Sequence, residues 1–258
     1  MITRKTPAQI ALMRKAGRVV AEMHEKCTEA ARPGATTLDI DKVAREVLDR
    51  RGARSNFLGY HGFPAVICTS PNDVIVHGIP GDYRLEEGDI LSIDAGAIIE
   101  GWHADAAITI PVGEVDTEAR RLMDVTRRSL EASIEKIVAG NHLGDVGAAV
   151  EAVATGAGFT VVREYVGHGI GTAMHEEPPV PNYGQPGRGV RIKEGYVLAI
   201  EPMVNAGRHA VRMGADGWAI YSQDGSLAAH FEFTVAVTSE GPRILTPWHV
   251  DAHAATAA

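Results

Sequence analysis

The chain has 258 residues, of which 45% are hydrophobic and 22% are charged; it is long enough to bury a large core, and this composition argues against disorder. Its net charge of −8 argues against DNA or other nucleic acid as the main ligand, because nucleic-acid binding normally needs a basic surface. The cysteines Cys27 and Cys68 form no C-x-x-C motif, no apolar leader precedes the first helix, and no apolar run reaches the roughly 18 residues of a membrane span. We therefore expect a cytoplasmic protein without a membrane anchor.

Two helices are predicted to open the chain. Thr6 is expected as the N-cap of the first helix, with Pro7 at the first helical position and Gln9 completing a capping box. This helix should stop before Pro33, and a second amphipathic helix should end near Gly52. Short strand-like runs follow at residues 65–69, 73–77, 89–94 and 106–111.

From Asp116 the same order of elements restarts. One helix is expected to run from Asp116 to Gly140, and a shorter one should end around Gly156–Gly158. Strand-like runs follow at residues 159–163, 197–204, 210–213, 218–221 and 231–237. The repetition predicts an α+β fold in one domain (1–258), with pseudo-two-fold halves at about 6–113 and 114–241. The tail, 247–258, has nothing to pack against and is expected to be partly flexible.

Both halves contain an apolar strand that ends in a carboxylate. Residues 87–94 align with residues 194–201 at an offset of 107, which matches Asp94 with Glu201. His-Ala-Asp at 103–105 aligns with His-Phe-Glu at 230–232, so that Asp105 and Glu232 each start an alternating strand. Since unbroken apolar strands belong inside a sheet, four acids should lie at the edge of one core.

Four buried acids need a compensating cation, or some of them must stay protonated. A pseudo-two-fold axis would bring all four to the place where the halves meet. Four oxygen donors with one or two imidazoles suit a pair of divalent ions better than a single structural zinc. Each acid taken alone is more typical of a capping or salt-bridged residue at a strand end; the matched positions of all four favour the metal site.

Three of the eleven histidines stand in contexts that favour a function. His168 lies between glycines in Gly-His-Gly-Ile-Gly, which makes a poor phosphate cradle but a good loop for a metal ligand. His175 follows in a non-helical segment, and His77 ends a strand before a Gly-Ile-Pro turn. Ordinary surface or core roles are expected for the histidines at 24, 142, 209, 249 and 253. No G-x-S-x-G elbow is present.

Together these segments resemble the type I methionine aminopeptidases over essentially the whole chain. The segments that carry the resemblance are G-Y-H-G-F-P at 59–64, I-C-T-S at 67–70, V-H-G-I-P at 76–80, I-D-A-G at 93–96, G-H-G-I-G at 167–171, H-E-E-P at 175–178 and I-E-P-M at 200–203. No single segment is specific to this family, whereas the whole set of segments is. The resemblance implies the pita-bread fold, a central antiparallel sheet with helices on its outer face.

The resemblance also implies a dinuclear metal site. Its ligands would be Asp94, Asp105, His168, Glu201 and Glu232, with Asp105 and Glu232 bridging the two ions. The implied reaction removes the N-terminal methionine from nascent proteins and peptides, by attack of a hydroxide that bridges the two ions. Cobalt, manganese, iron, zinc and nickel all suit such a donor set, so the metal is left open.

Three residues are expected to act on the substrate. Glu201 would move the proton between water and the leaving amine, His175 would donate a hydrogen bond to the scissile carbonyl, and His77 would lie on the leaving-group side.

The methionine side chain is expected in an apolar pocket. From the family pattern its lining is predicted to be Tyr60, Phe63, Cys68 and Trp218, with Phe57 and Met174 as further candidates. For Cys68 an ordinary core position is an equal alternative. The chain departs from the family pattern at Ala104, Met174 and Phe233, where glycine, an aromatic residue and histidine are usual. These departures remove no ligand, but they leave details of the pocket open.

Two other functions remain open on the sequence alone. One is a proline-specific peptidase of the same fold, such as a prolidase or aminopeptidase P; the other is a metal-free binding protein of that fold. A monomer is expected, with peptides beginning with methionine as partners. Docking on the ribosome is left open. A basic cluster near the N-terminus is the feature that suggests it, although such clusters are usually solvated helix faces: Arg4, Lys5, Arg14, Lys15 and Arg18.

Overall fold

The computed structural model describes residues 2–247. Within them lie four α-helices: α1 (Pro7–Ala30), α2 (Thr37–Arg51), α3 (Thr117–Ile134) and α4 (Leu143–Gly156). The start of α1 is as predicted, because the Thr6 side chain accepts from the Gln9 amide and the Gln9 side chain accepts from the Thr6 amide. The end of α2 is also as predicted: Gly52 takes a left-handed conformation (φ 61°) and its N–H bonds back to the helix.

The strands are short except for two. Their bounds are β1 (Arg54–Ser55), β2 (Ile67–Pro71), β3 (Val74–Val76), β4 (Ile90–Ile99), β5 (Trp102–Pro111), β6 (Thr160–Val161), β7 (Gly167–Gly169), β8 (Glu176–Val180), β9 (Val197–Ile200), β10 (Met203–Asn205), β11 (Val211–Met213), β12 (Ile220–Ser222), β13 (Ala228–His230), β14 (Phe233–Thr238) and β15 (Gly241–Ile244). All pairings among these strands are antiparallel.

Each half contributes one larger sheet. In the first half, β4 pairs with β5 along its whole length and with β1 and β2 on its other edge. In the second half the order is β15-β14-β9-β7-β8. The helices α1 and α2 pack on each other, as do α3 and α4, and α1 also packs on β4 and β5. One continuous apolar core runs through these helices and both sheets.

The loops before α2 and α4 make the same backbone contacts. Gly34 N–H donates to Leu85 O at 2.8 Å, and Gly140 N–H donates to Ile192 O at 3.0 Å. Both glycines have positive φ, 91° and 106°, which a glycine adopts without a Cβ clash. The matching residues lie 106 and 107 positions apart, close to the offset of the repeated acid pattern.

Two predicted boundaries are wrong by five or more residues. Asp94 was expected at the end of a strand, yet β4 continues five residues beyond it because β5 pairs with it residue by residue as far as Ile99↔Trp102. The small residues that follow Asp94 gave little sign of this strand. The helix expected to reach Gly140 ends at Ile134, where the last bonds tighten to three-residue spacing, although Ile137 remains buried.

Two further findings concern the expectations about membrane spans and cysteines. Among residues 2–247, no helix combines the length and apolar character that crossing a bilayer requires. Both cysteines are buried free thiols. The tail expected to be flexible lies, from residue 248 on, outside the described residues.

Candidate functional site

The β4–β5 register places two of the predicted acids on one face. Asp94 lies opposite Ala107, and Asp105 lies opposite Gly96. Because residues two apart on a strand share a face, Asp94 and Asp105 are diagonal neighbours, and each carboxyl group affects the pKa of the other. Gly96 is required here, since a Cβ at that position would lie 2.3 Å from the Asn56 amide nitrogen.

The other two acids come from the second half of the chain. Glu201 follows directly after β9, and Glu232 directly precedes β14. The Glu232 amide donates to Ala107 O at 2.9 Å, and the Thr234 hydroxyl donates to Asp105 O at 2.7 Å. These bonds tie the start of β14 to the middle of β5, so that acids from both halves meet. Glu232 was expected to start a strand and lies one residue before it, whereas Asp105, expected at the same place, lies inside β5.

His168 completes this group from β7. A loop was expected there; instead its backbone pairs with Ala199 of β9. The flanking glycines permit close backbone packing rather than access of a ligand, because a Cβ at Gly167 would lie 2.3 Å from Ala199 O and one at Gly169 would lie 2.2 Å from Glu177 O. The ring nitrogen Nδ1 lies 2.9 Å from Gly169 O, which can only accept, so Nδ1 carries the proton. The Nε2 lone pair then faces Glu201 Oε1 at 3.6 Å.

The chemistry of this donor set suits a cation. Ligand atoms of Asp105, His168 and Glu232 lie within 4.8 Å of one another. In the described part of the chain, three carboxylate oxygens are buried without a hydrogen-bond partner: Asp94 Oδ1, Asp105 Oδ1 and Glu232 Oε1. Buried carboxylate oxygens normally have partners, and an oxygen-binding divalent ion would supply one to each.

The electrostatics agree with this interpretation. Burial is the main cause that raises the pKa of Asp94, to about 7, and that raises the pKa values of Asp105, Glu201 and Glu232. The neighbouring carboxylates raise the last three further. Without a cation, the group therefore holds protons at neutral pH. His168 stays neutral, because burial and then His175 lower its pKa to about 4, and a neutral imidazole is the form that binds metal.

His175 and His77 lie beside this cluster. The His175 ring contacts the His168 ring edge to face, with centroids 4.2 Å apart. Its Nδ1 lies 2.7 Å from the Tyr60 hydroxyl, which fixes the ring and leaves Nε2 free. His77 has a left-handed backbone (φ 62°), a strained conformation for a residue other than glycine. Burial and then His175 lower the pKa of His77 to about 4, so that it is also neutral.

The predicted methionine-pocket residues form one apolar cluster. Its buried members are Phe57, Phe63, Ala65, Cys68 and Met174, with Tyr60, Ile79 and Trp218 packed against them. The rings of Phe63 and Trp218 meet edge to face at 5.1 Å. Cys68 lies opposite Asp94 in the β2–β4 register, so this cluster directly adjoins the acids. Ala65 and Ile79 were not foreseen, since nothing in their local sequence distinguishes them from core.

One imidazole next to the acids was not assigned a role from the sequence. His230, at the end of β13, is 1% exposed and lies close to both Glu201 and Glu232. Burial, with smaller contributions from His77 and His24, lowers its pKa to about 3. The sequence did contain a signal for this residue, because His230 stands two positions before the predicted ligand Glu232 and aligns with His103 in the repeat.

The segment before α1 holds the loop that precedes His175. Lys5 Nζ lies 2.7 Å from Glu176 Oε2, and the Thr3 hydroxyl donates to the same oxygen at 2.7 Å. The other oxygen of Glu176 accepts from the Thr172 and Ala173 amides. The side chains of Lys5 and Glu176 are only 5% and 15% exposed. Three members of the basic N-terminal cluster therefore make contacts within the chain. Besides the Lys5 contact, Lys15 pairs with Glu100, and Arg4 donates to Glu194 O.

We expect Lys5→Met to destabilise the protein by about 1.5–3 kcal/mol, because the half-buried Glu176 carboxylate loses its counter-charge but keeps its hydrogen bonds to Thr3, Thr172 and Ala173. Lys15→Met is the matched control, since the Lys15–Glu100 pair is more than half exposed and its loss should cost no more than about 1 kcal/mol. Urea unfolding of both variants measures the difference. Equal midpoints would show that the Lys5–Glu176 pair contributes nothing.

Comparison with known proteins adds the family context. Residues 11–239 match the model of metallopeptidase family M24. A protein of Clostridium acetobutylicum named methionine aminopeptidase is 49% identical over 247 residues, covering 95% of this chain and 99% of that protein. The crystal structure of a methionine aminopeptidase from Thermotoga maritima superposes with a TM-score of 0.94 at 42% identity, covering 95% of this chain and 99% of the other.

Prolidases are similar in fold but more distant in sequence. The prolidase of Pyrococcus furiosus has a TM-score of 0.77 at 22% identity, and the match covers 94% of this chain but 65% of that chain. At this identity the likeness shows the fold alone. The expected α+β class and pita-bread architecture are confirmed by these two solved structures.

Proposed function

This chain belongs to metallopeptidase family M24, and we propose that it is a metal-dependent methionyl aminopeptidase that removes the N-terminal methionine from peptides and nascent proteins. The observation that carries the proposal is the group of four acids and one imidazole, contributed by both halves of the chain, beside an apolar cluster of side chains. Relatives named methionine aminopeptidase, aligned along nearly the whole chain, support it.

We propose that two divalent ions bind between the halves. Asp94, Asp105, His168, Glu201 and Glu232 would hold them. The buried oxygens without hydrogen-bond partners and the neutral, oriented His168 ring support this donor set. Oxygen-rich sites of this kind accept manganese, iron, cobalt, nickel or zinc. When bound, such ions lower the pKa of a water to about 7 and so supply a nucleophile at neutral pH.

The protein's own groups would then direct the reaction. The Glu201 carboxylate accepts the proton of the attacking water and delivers it to the leaving amine nitrogen. Glu201 is suited to this because it follows directly after β9 and one of its carboxylate oxygens lies 3.6 Å from His168 Nε2, beside the proposed metal ligands. His175, with Tyr60 hydrogen-bonded to Nδ1, donates from Nε2 to the carbonyl oxygen as negative charge develops. His77 lies on the leaving-group side.

We expect divalent metal to be required. The unmodified protein should hydrolyse a Met-Ala-Ser peptide, lose this activity after removal of metal by a chelator, and regain it when manganese, iron, cobalt, nickel or zinc is added back singly. Release of free methionine, measured chromatographically, checks this. Xaa-Pro dipeptides are the discriminating control: hydrolysis of these but not of Met-Ala-Ser would favour a proline-specific peptidase. If equilibrium dialysis found no bound divalent metal, a metal-free binding protein of this fold would be favoured.

We expect the apolar pocket to select methionine. Met-Ala-Ser should exceed Leu-Ala-Ser in kcat/KM by about 10–200-fold, the range for a small shape difference in an apolar pocket. Cys68→Ala should reduce this ratio, because Cys68 is part of the pocket cluster. Cys27→Ala is the matched control: Cys27 is also fully buried, but it lies on α1 in the main core, so its loss should leave the ratio unchanged. Equal rates on both peptides would contradict the pocket assignment.

The remaining expectations are proposals as well. We place the protein in the cytoplasm, where nascent chains begin and where its two buried thiols would stay reduced. We propose that it acts as a monomer. Docking on the ribosome gains little support from the basic cluster, because Lys5, Lys15 and Arg4 are engaged in contacts within the chain.

A further inference from the structure

His230 is a buried imidazole with no hydrogen-bond partner on either ring nitrogen among the described residues. Only 1% of the residue is exposed, so water does not readily satisfy these two nitrogens. An unpaired polar group inside a protein is costly and calls for an explanation at the site where it occurs. None of the steps assigned above to other residues uses this ring.

The ring faces two of the acids. His230 Nε2 lies 4.0 Å from Glu201 Oε2 and 3.9 Å from Glu232 Oε2. The opposite oxygen of Glu201, Oε1, faces His168 Nε2 at 3.6 Å. The two oxygens of one carboxylate thus face two different imidazoles. His168 lies on the side where ligand atoms of Asp105, His168 and Glu232 converge. The second oxygen of Glu201, Oε2, is therefore the one that faces His230.

The position of His230 is held by its backbone. The His230 amide donates to the Thr109 hydroxyl oxygen at 2.8 Å, and the same hydroxyl donates to His230 O at 2.8 Å. His230 also pairs with Met203 between β13 and β10. Glutamate side chains have more rotatable bonds than this ring, so a shift of about 1 Å by Glu201 is enough to bring its oxygen within hydrogen-bond distance of Nε2.

We propose that His230 is a positioning residue of the site: its Nε2–H donates a hydrogen bond to Glu201 Oε2 and so orients the carboxylate that moves the proton. The inference rests on the proposed function, since it gives Glu201 its role. The proton belongs on Nε2 because a bare lone pair facing two carboxylate oxygens would be repelled by both. Oriented in this way, Glu201 presents Oε1 to the side of the metal ions. Partners of this kind commonly change metal affinity or activity by about 10–100-fold.

Two amide substitutions separate the two ring nitrogens. Glutamine places its amide nitrogen near the position of Nε2, whereas asparagine places it near Nδ1. We therefore expect His230→Asn to lower the affinity for Co²⁺, and kcat at saturating Co²⁺, by about 10–100-fold. His230→Gln should recover most of both losses. Isothermal titration with Co²⁺ and the visible absorption of bound Co²⁺ report on the site without relying on activity. His209→Gln, at an exposed histidine, is the control for an added amide.

The outcomes are distinct. If His230→Gln keeps the Co²⁺ affinity and kcat while His230→Asn lowers both, the proposal is supported. Equal loss in both variants would show that the imidazole itself is needed, as a ligand or for packing, and would overturn the positioning role. Unchanged titrations and rates in both would overturn it too. If the unmodified protein failed to cleave Met-Ala-Ser with any metal, the proposed function would fail, while the Co²⁺ titrations would still report whether His230 orients the acids.

Discussion

Glu201→Gln is expected to lower kcat on Met-Ala-Ser by about 10²–10⁴-fold, the usual contribution of a positioned acid–base group. The carboxylate follows the buried strand β9, faces His168 with one oxygen, and has a pKa raised by burial and by the neighbouring acids. Glutamine keeps the size of the side chain but cannot take up the proton of the attacking water. The rate should be measured as a function of metal concentration.

The metal titration separates the two roles proposed for Glu201. A loss that disappears at saturating metal would mean that Glu201 serves only as a ligand, and the proton-transfer role would be wrong. A loss that persists at saturation supports it. Glu194→Gln is the matched control, because Glu194 is an exposed glutamate on the turn before the same strand, and it should leave both the rate and the metal dependence unchanged.

The second large effect is expected at His175. His175→Ala should lower kcat by about 10²–10³-fold, the typical value of one hydrogen-bond donor to a developing oxyanion. Both metal ions should remain bound, because the ring lies beside the acids without being one of the proposed ligands. Tyr60→Phe should cause a smaller loss in the same direction, since it removes only the 2.7 Å contact that holds the His175 ring.

Elemental analysis of His175→Ala provides the decisive measurement. Loss of bound metal in this variant would identify His175 as a ligand and contradict the proposed donor role. His61→Ala is the control. His61 is an exposed imidazole whose ring lies 4.4 Å from that of Tyr60, so removing it tests for a general effect of lost aromatic surface near the site.

Local features of the fold could be read from the sequence because their causes are local. The capping box of Thr6 and Gln9 fixes the start of α1 through hydrogen bonds between residues three apart. Gly52 ends α2 because a glycine readily takes the left-handed conformation that the cap requires. The order of helices and strands in each half followed from the same kind of short-range pattern.

The strand boundaries near the site depended on pairing instead. Asp94 and Asp105 lie inside long strands because β4 and β5 form a continuous hairpin, joined through Glu100 and Gly101, both with positive φ. His168 lies in a strand because β8, which follows β7 closely in the chain, and β9, about thirty residues on, both supply pairing partners. A run of small residues and glycines has low strand propensity, and only the neighbouring strands decide its conformation.

The sequence by itself determined which residues could form the site: the acids Asp94, Asp105, Glu201 and Glu232 stand at matching places of a repeat, and His168 stands in a glycine-flanked segment. The tertiary structure alone decided which atoms of these groups face one another, and it added His230 and the Lys5–Glu176 pair. The physical reason is the distance along the chain over which each kind of interaction acts. Repeats, caps and apolar patterns are encoded over a few residues. The burial of these groups and the facing of their atoms instead depend on several segments of the chain, which for Lys5 and Glu176 lie 171 residues apart and which only the complete packing brings together.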